Sequence, residues 1–131
     1  MVMVIEISRT ALDTILRECA ANPEREACGL LFGHEQAVLR AEPTANVAVR
    51  QADSFEIDPA ALFAALRAER AGGPRVIGHY HSHPNGRPEP SARDAAAAEP
   101  GKLWLIVAER QVRAWWAGEG GSFAAVRLIV V

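Results

Sequence analysis

The stretch Gly78 to Asp94, GHYHSHPNGRPEPSARD, constrains this chain more than any other. Val76 to Ser82 reads as a strand, and the loop after it is stiffened by Pro84, Pro88 and Pro90. Residues two apart along a strand point to one face, so His81 and His83 can offer two imidazoles to a single ion. Asp94 follows the loop with a carboxylate that can close the set. Two His and one Asp, with water in the fourth position, is the ligand count of a catalytic zinc site, whereas structural sites usually fill all four positions with Cys or His. A fold that satisfies this pattern must return the chain, after the loop, to the end of the histidine strand.

Several parts of the stretch have plainer readings. Ser91-x-x-Asp94 before an Ala-rich run is also a helix capping box. The two roles are compatible: Ser91 can cap the helix and still face the metal, while Asp94, one turn in, can direct its carboxylate to the histidines. His79 shares the period of two with His81 and His83, which opens a three-His alternative. Three ligands along one extended strand span ~13 Å, too far to meet on one ion with bonds of ~2 Å unless the strand bends. His79 is therefore read as a supporting or structural residue. HEQAV, His34 to Val38, starts like the H-E-x-x-H zinc motif but has Val38 where the second His must stand. A zinc deaminase would need H-x-E followed by P-C-x-x-C, and the chain has no C-x-x-C.

A chain of 131 residues fits one domain, 1–131, with enough length for a real core. The net charge of −2 argues against a nucleic-acid partner held through its phosphates, which favours a basic face. No stretch approaches the ~20 uninterrupted apolar residues of a membrane span. MVMVIEIS lacks a basic leader and is broken by Glu6, so it reads as a strand, and a cytoplasmic protein is the expectation. Cys19 and Cys28 form no disulfide framework and read as small buried hydrophobes, although Cys28 could be imagined as a thiolate nucleophile or a metal ligand.

Taken in order, Val2 to Ile7 predicts a strand, and Ser8 or Thr10 caps a helix whose stripe is Ala11, Leu12, Ile15, Leu16, Cys19 and Ala20. Glu26 to Phe32 predicts a second strand, Ala37 to Ala41 a third. Asp58-Pro59 starts a helix to about Ala71 that buries Leu62, Phe63 and Leu66, with Arg67, Glu69 and Arg70 on a solvated face. After the histidine strand a short helix runs from Ser91 through Ala98. Leu103 to Ala108, Val112 to Ala117 and Phe123 to Val131 read as the last strands. Trp115 and Trp116, adjacent in a strand, cannot both be buried by one layer.

His81-Ser82-His83-Pro84, six residues, then Ser91-x-x-Asp94 resembles the signature of the JAMM zinc metallopeptidases, also called MPN+ or JAB. That family adds a glutamate from an earlier strand, and Glu26 in PEREACGLLFG matches it; short prokaryotic members carry a similar E-x-C-G-L-L-x-G stretch. The resemblance runs from about Glu24 to Ala108. It implies an α/β (α+β) fold of MPN type, a mixed curved sheet of about six to seven strands with two long helices and one short helix. It also implies one zinc per chain on His81, His83 and Asp94, with water polarised by the metal. Glu26 would be the base that moves the proton and Ser91 the oxyanion donor. Glu24 is a base candidate by composition only, and Glu89 in the loop is expected to face solvent.

Members resembling this chain cut peptide or isopeptide bonds after the Gly-Gly tail of ubiquitin or of small β-grasp proteins. The implied substrate is a ubiquitin-like or sulfur-carrier protein, its tail lying in a narrow groove as an added strand on a sheet edge, with Asn85 to Pro90 as one wall. A homodimer is one possible assembly. Two other readings remain beside this one: a scaffold that keeps the fold without turnover, and a hydrolase of small-molecule amides. The intact set of five residues favours the peptidase, since a scaffold needs none of them.

Overall fold

The computed structural model describes residues 3–131; Val2, expected in the first strand, lies outside them. Seven strands and three helices follow in the order β1 (Met3–Ile7), α1 (Arg9–Ala20), β2 (Cys28–His34), β3 (Ala37–Thr44), α2 (Pro59–Arg70), β4 (Arg75–Ser82), α3 (Ala92–Ala97), β5 (Leu103–Ala108), β6 (Gln111–Ala117) and β7 (Phe123–Val130). The mixed sheet closes on itself in the order β1-β3-β2-β4-β5-β6-β7, because β1 pairs in parallel with both β3 and β7. A short 3-10 turn at Glu119–Gly121, not foreseen in the sequence, leads into β7.

The core fills one side of this sheet with Ile5, Ile7, Leu31, Tyr80, Leu105 and their neighbours. Helix α1 adds Ala11, Ile15 and Cys19 from the predicted stripe, and its cap is Ser8, whose hydroxyl accepts from the Ala11 N–H. Helix α2 departs from expectation. None of its residues is buried, and Phe63 is exposed. Only its Leu62, Ala65 and Leu66 edge rests on the small cluster Leu30, Phe32 and Val76, because the strands beneath it offer too narrow an apolar strip. Glu69, read as part of a solvated face, accepts a hydrogen bond from the Val76 N–H at 2.7 Å and ties this helix to the start of β4.

β4 is the strand that sets the site. A bulge opposite Leu31/Phe32 leaves Ile77 outside the register, so Val76 faces α2 while Ile77 enters the core. From Gly78 onward the alternation is regular: Tyr80 goes to the core and His79 and His81 go to the other face. β4 lies between β2 and β5, and the approach is close enough that a Cβ at Gly78 would run into the Leu103 carbonyl. Backbone cannot retreat as a side-chain tip can, so Gly78→Ala is expected to lose about 1–3 kcal/mol of stability or more. Denaturant unfolding with unchanged slope checks this; a midpoint equal to that of the native protein would contradict it.

Candidate metal centre and active site

Three elements bring the polar cluster together. β4 ends at Ser82, but its ladder continues for one more step, the His83 N–H donating to the Val107 carbonyl at 2.8 Å. His81 and His83 therefore keep the spacing of a strand. The loop folds back through an Asx-type contact, Arg87 N–H to Asn85 Oδ1, and a left-handed Gly86 at φ 80°. It is then pinned to β6 by Trp115 Nε1–H donating to the Pro88 carbonyl at 3.0 Å and by Arg113 pairing with the exposed Glu89. α3 follows with a full capping box: Ser91 Oγ accepts from the Asp94 N–H, and Asp94 Oδ2 accepts from the Ser91 N–H at 2.8 Å. The capping box leaves the carboxylate turned to the histidines, since the same Asp94 Oδ2 lies beside both rings.

Those donors converge. His81 Nε2 and His83 Nε2 are 3.0 Å apart, and Asp94 Oδ2 lies 3.3 Å from the first and 3.1 Å from the second. Glu26 joins them: one of its carboxylate oxygens and a ring nitrogen of each histidine all lie within 4.8 Å of one another. All four residues are buried. His83 Nδ1 meets the Arg87 carbonyl at 2.7 Å, an acceptor only, so Nδ1 carries the proton and Nε2 presents its lone pair to the cluster. Lone pairs of two imidazoles and a carboxylate within 3.3 Å require a cation or a proton between them. Glu26 Oε1 and His81 Nδ1 are buried without a hydrogen-bond partner among the described residues. The Glu26–His81–His83 group could hold a metal ion, and its nitrogen and oxygen donors suit zinc.

Glu26 stands just ahead of β2 and not within it, which corrects the expected strand start. The reason is local hydrogen bonding. Ser82 Oγ accepts from the Ala27 N–H at 2.9 Å, Glu26 N–H donates to the Gln51 carbonyl, and the Glu26 carbonyl accepts from Asn46 Nδ2 at 2.8 Å. The ladder partners of a regular strand are thus replaced by a serine and two loop residues. Glu24 is exposed, and no strand face joins it to Glu26. His79 sits against Trp104, ring centroids 4.3 Å apart, and outside the converging donors. Cys28 lies opposite His81 in the β2–β4 ladder, but its Sγ is in contact with Thr44 Oγ1 and the Ala45 carbonyl at 3.7 Å.

Burial governs the charges. It pushes the Glu26 carboxyl up to about 7, with His83 pulling back and Asp94 adding to the rise. It lowers His79 to about 3 and also lowers His81, against the opposing pull of Asp94. At His83, burial opposes the charged form, but hydrogen bonds to Asp94 and the Arg87 carbonyl outweigh it and raise the pKa. Burial acts on Asp94 as well, yet bonding to both histidines holds its carboxyl well below the usual range. Cys19 and Cys28 are raised by burial to about 12 and about 11. Both thiols thus stay protonated in the fold at pH 8 and are expected to react with a disulfide reagent at least about tenfold slower than in denaturant. Because the folded values exceed the unfolded one near 8.5–9, these thiols weaken the fold only as pH rises from about 9 towards 12. A native thiol titration as fast as the denatured one would contradict their burial.

Residues 8–118 match the family described as prokaryotic homologs of the JAB domain. The chain belongs to the JAB/MPN family. It is 37% identical over 124 residues to a protein of Haloferax volcanii named desampylase, covering 88% of this chain and 89% of that protein. It is 32% identical over 126 residues to a Thermus thermophilus protein named a probable TtuB-protein conjugate cleaving protease, covering 96% and 84%. Among solved structures, protein DSY2949 from Desulfitobacterium hafniense superposes with a TM-score of 0.81 at 26% identity over 98% of this chain and 93% of that one. A JAB1/MPN domain protein from Archaeoglobus fulgidus, AF2198, superposes with a TM-score of 0.62 at 22% identity over 98% and 97%, a likeness of fold. The expected MPN-type fold and JAMM membership are borne out. Three residues that organise the site were not singled out for it from the sequence: Ser82, Asn46 and Phe55. Ser82 lies within the histidine motif but acts on the Ala27 main chain, and Asn46 and Phe55 belong to no motif.

Proposed function

We propose that this protein is a zinc-dependent isopeptidase that cleaves conjugates of a small ubiquitin-like protein after its Gly-Gly tail. The observation that carries the reading is the convergence of His81, His83 and Asp94 on one point with the Glu26 carboxylate beside it. It agrees with the names of the relatives, a desampylase and a conjugate-cleaving protease. His81, His83 and Asp94 would hold one zinc ion per chain. Such an ion supplies Lewis acidity, lowering the pKa of a bound water and polarising the amide carbonyl.

The chain's own groups do the rest. Glu26, poised near neutrality by burial, takes a proton from the attacking water and returns it to the leaving amine nitrogen. Ser91 Oγ spends a lone pair on the Asp94 N–H, which leaves its O–H free to donate to the developing oxyanion. Two cavities flank these groups. One of about 290 Å³ is lined by Glu26, Asp53, His83, Asn85, Ser91 and Arg93. The other, about 220 Å³, is lined by Phe55, Ile57, His79, Ala97 and Trp104, with Arg93 between the two. They are the proposed seats of an extended tail on either side of Arg93. β4 is paired on both sides, so a tail beside the histidines cannot add to a sheet edge and must be held by the loops; Asn85 remains on its wall.

The test is a mass-spectrometric time course on a carrier conjugate, with and without chelator, and with the last Gly of the tail replaced by Leu. Cleavage after Gly-Gly that needs metal and stops with Leu is expected. Equal rates on native and Leu tails would leave a general metallopeptidase, and cleavage indifferent to the chelator would remove the zinc assignment.

A further inference from the structure

His81 and His83 are held by different means. A metal-binding histidine ordinarily gives its second ring nitrogen to a carboxylate, carbonyl or water, which fixes the ring and its tautomer. His83 follows that rule through the Arg87 carbonyl. His81 does not: its Nδ1 is buried with no hydrogen-bond partner among the described residues. What touches the His81 ring is Phe55, stacked face to face at a centroid distance of 4.1 Å and an interplanar angle of 18°. Trp104 stands edge-on to both rings, 5.5 Å from His81 and 6.0 Å from Phe55, and fixes the stack from the side.

Phe55 belongs to no helix or strand, so something must hold it. Asn46 does so. Its Nδ2 donates to the Ser54 carbonyl at 3.0 Å and to the Glu26 carbonyl at 2.8 Å, while its Oδ1 accepts from the N–H groups of Glu56 and Ala48. Two of these four hydrogen bonds clamp the residues on either side of Phe55, and a third clamps the backbone of Glu26. The bridge between Asn46 and Ile57 closes the segment.

We propose that Phe55 is a positioning residue for the metal centre: its ring face, and not a hydrogen bond, sets the orientation of His81, with Asn46 locking that ring to the backbone of Glu26. Stacked aromatic pairs are attractive beyond the area they bury, and this one fixes the plane of the imidazole. The inference rests on the metal-centre reading above. Without Phe55 the His81 ring is free to turn about its side-chain torsions, and Nε2 leaves the point where His83 and Asp94 meet.

The experiment measures cobalt(II) and zinc affinity by chelator competition, together with the visible spectrum of the cobalt form, in native protein, Phe55→Leu and Phe55→Tyr. Phe55→Leu is expected to bind metal about 10–100-fold more weakly with an altered cobalt spectrum, while the metal-free protein still unfolds in one cooperative transition. Phe55→Tyr, which keeps the ring face, restores affinity and spectrum. Native affinity and spectrum in Phe55→Leu would overturn the proposal. If Phe55→Leu fails to fold, Phe55→Met replaces it, and loss of fold in both would place Phe55 in the core and overturn the positioning role as well. No metal bound by native protein would instead remove the function proposed above, so the two failures are distinguishable.

Discussion

Glu26→Gln is expected to bind metal as the native protein does and to lose about 10²–10⁴-fold in turnover, the range typical of a removed general base. The amide matches the carboxylate in shape, and the clamps on Glu26 from Asn46 and Gln51, like that of Ser82 on the neighbouring Ala27, all act on backbone. The fold therefore has no reason to change. What disappears is the ability to accept a proton. The acidic limb of the native pH profile reports the same group: its carboxyl is pushed up to about 7, and a bound cation pulls it back down. Activity should thus rise with pH through a value at or below about 7, and Glu26→Gln should lose that limb along with its rate. Metal content and affinity are measured beside turnover. Weak metal binding would make Glu26 a ligand, and native turnover would remove it from the mechanism.

The parts of this site that were legible in the sequence lie close together along the chain. His81, His83, Ser91 and Asp94 fall within one strand, one loop and one helix start, so local geometry decides their meeting. Glu26 was legible only through its motif. Its strand assignment failed because Ala27 bonds to a serine side chain and Glu26 to Gln51, contacts no period of two contains. Phe63 was misplaced for a related reason: an apolar residue on an amphipathic helix is buried only if the surface beneath is wide enough. Closure of the sheet depends on β1 meeting β7 across nearly the whole chain, which no local pattern encodes. Asn46 and Phe55 were invisible as site residues because one acts on main chain and the other through a ring face.

Removal of metal ligands should give the other large effect. Asp94→Asn is expected to lose metal affinity by more than the 10–100-fold typical of an outer partner, and His81→Ala to retain none after dialysis. Asp94 supplies negative charge to the cluster, 3.3 and 3.1 Å from the two imidazoles, and a neutral amide does not replace it. An Asn oxygen can still accept from the Ser91 N–H, so the α3 cap survives and the loss reads on the metal and not on the helix. His79→Ala is the control. Its ring centroid is 6.2 Å from that of His81, it packs on Trp104, and burial keeps it neutral with a pKa near 3. Truncation there should cost packing stability while metal stays bound. Elemental analysis after dialysis, with calorimetric titration of the metal-free proteins, separates these outcomes. Full occupancy in Asp94→Asn with loss in His79→Ala would move the site to three histidines, and the β4 strand would then have to bend to bring His79 into reach.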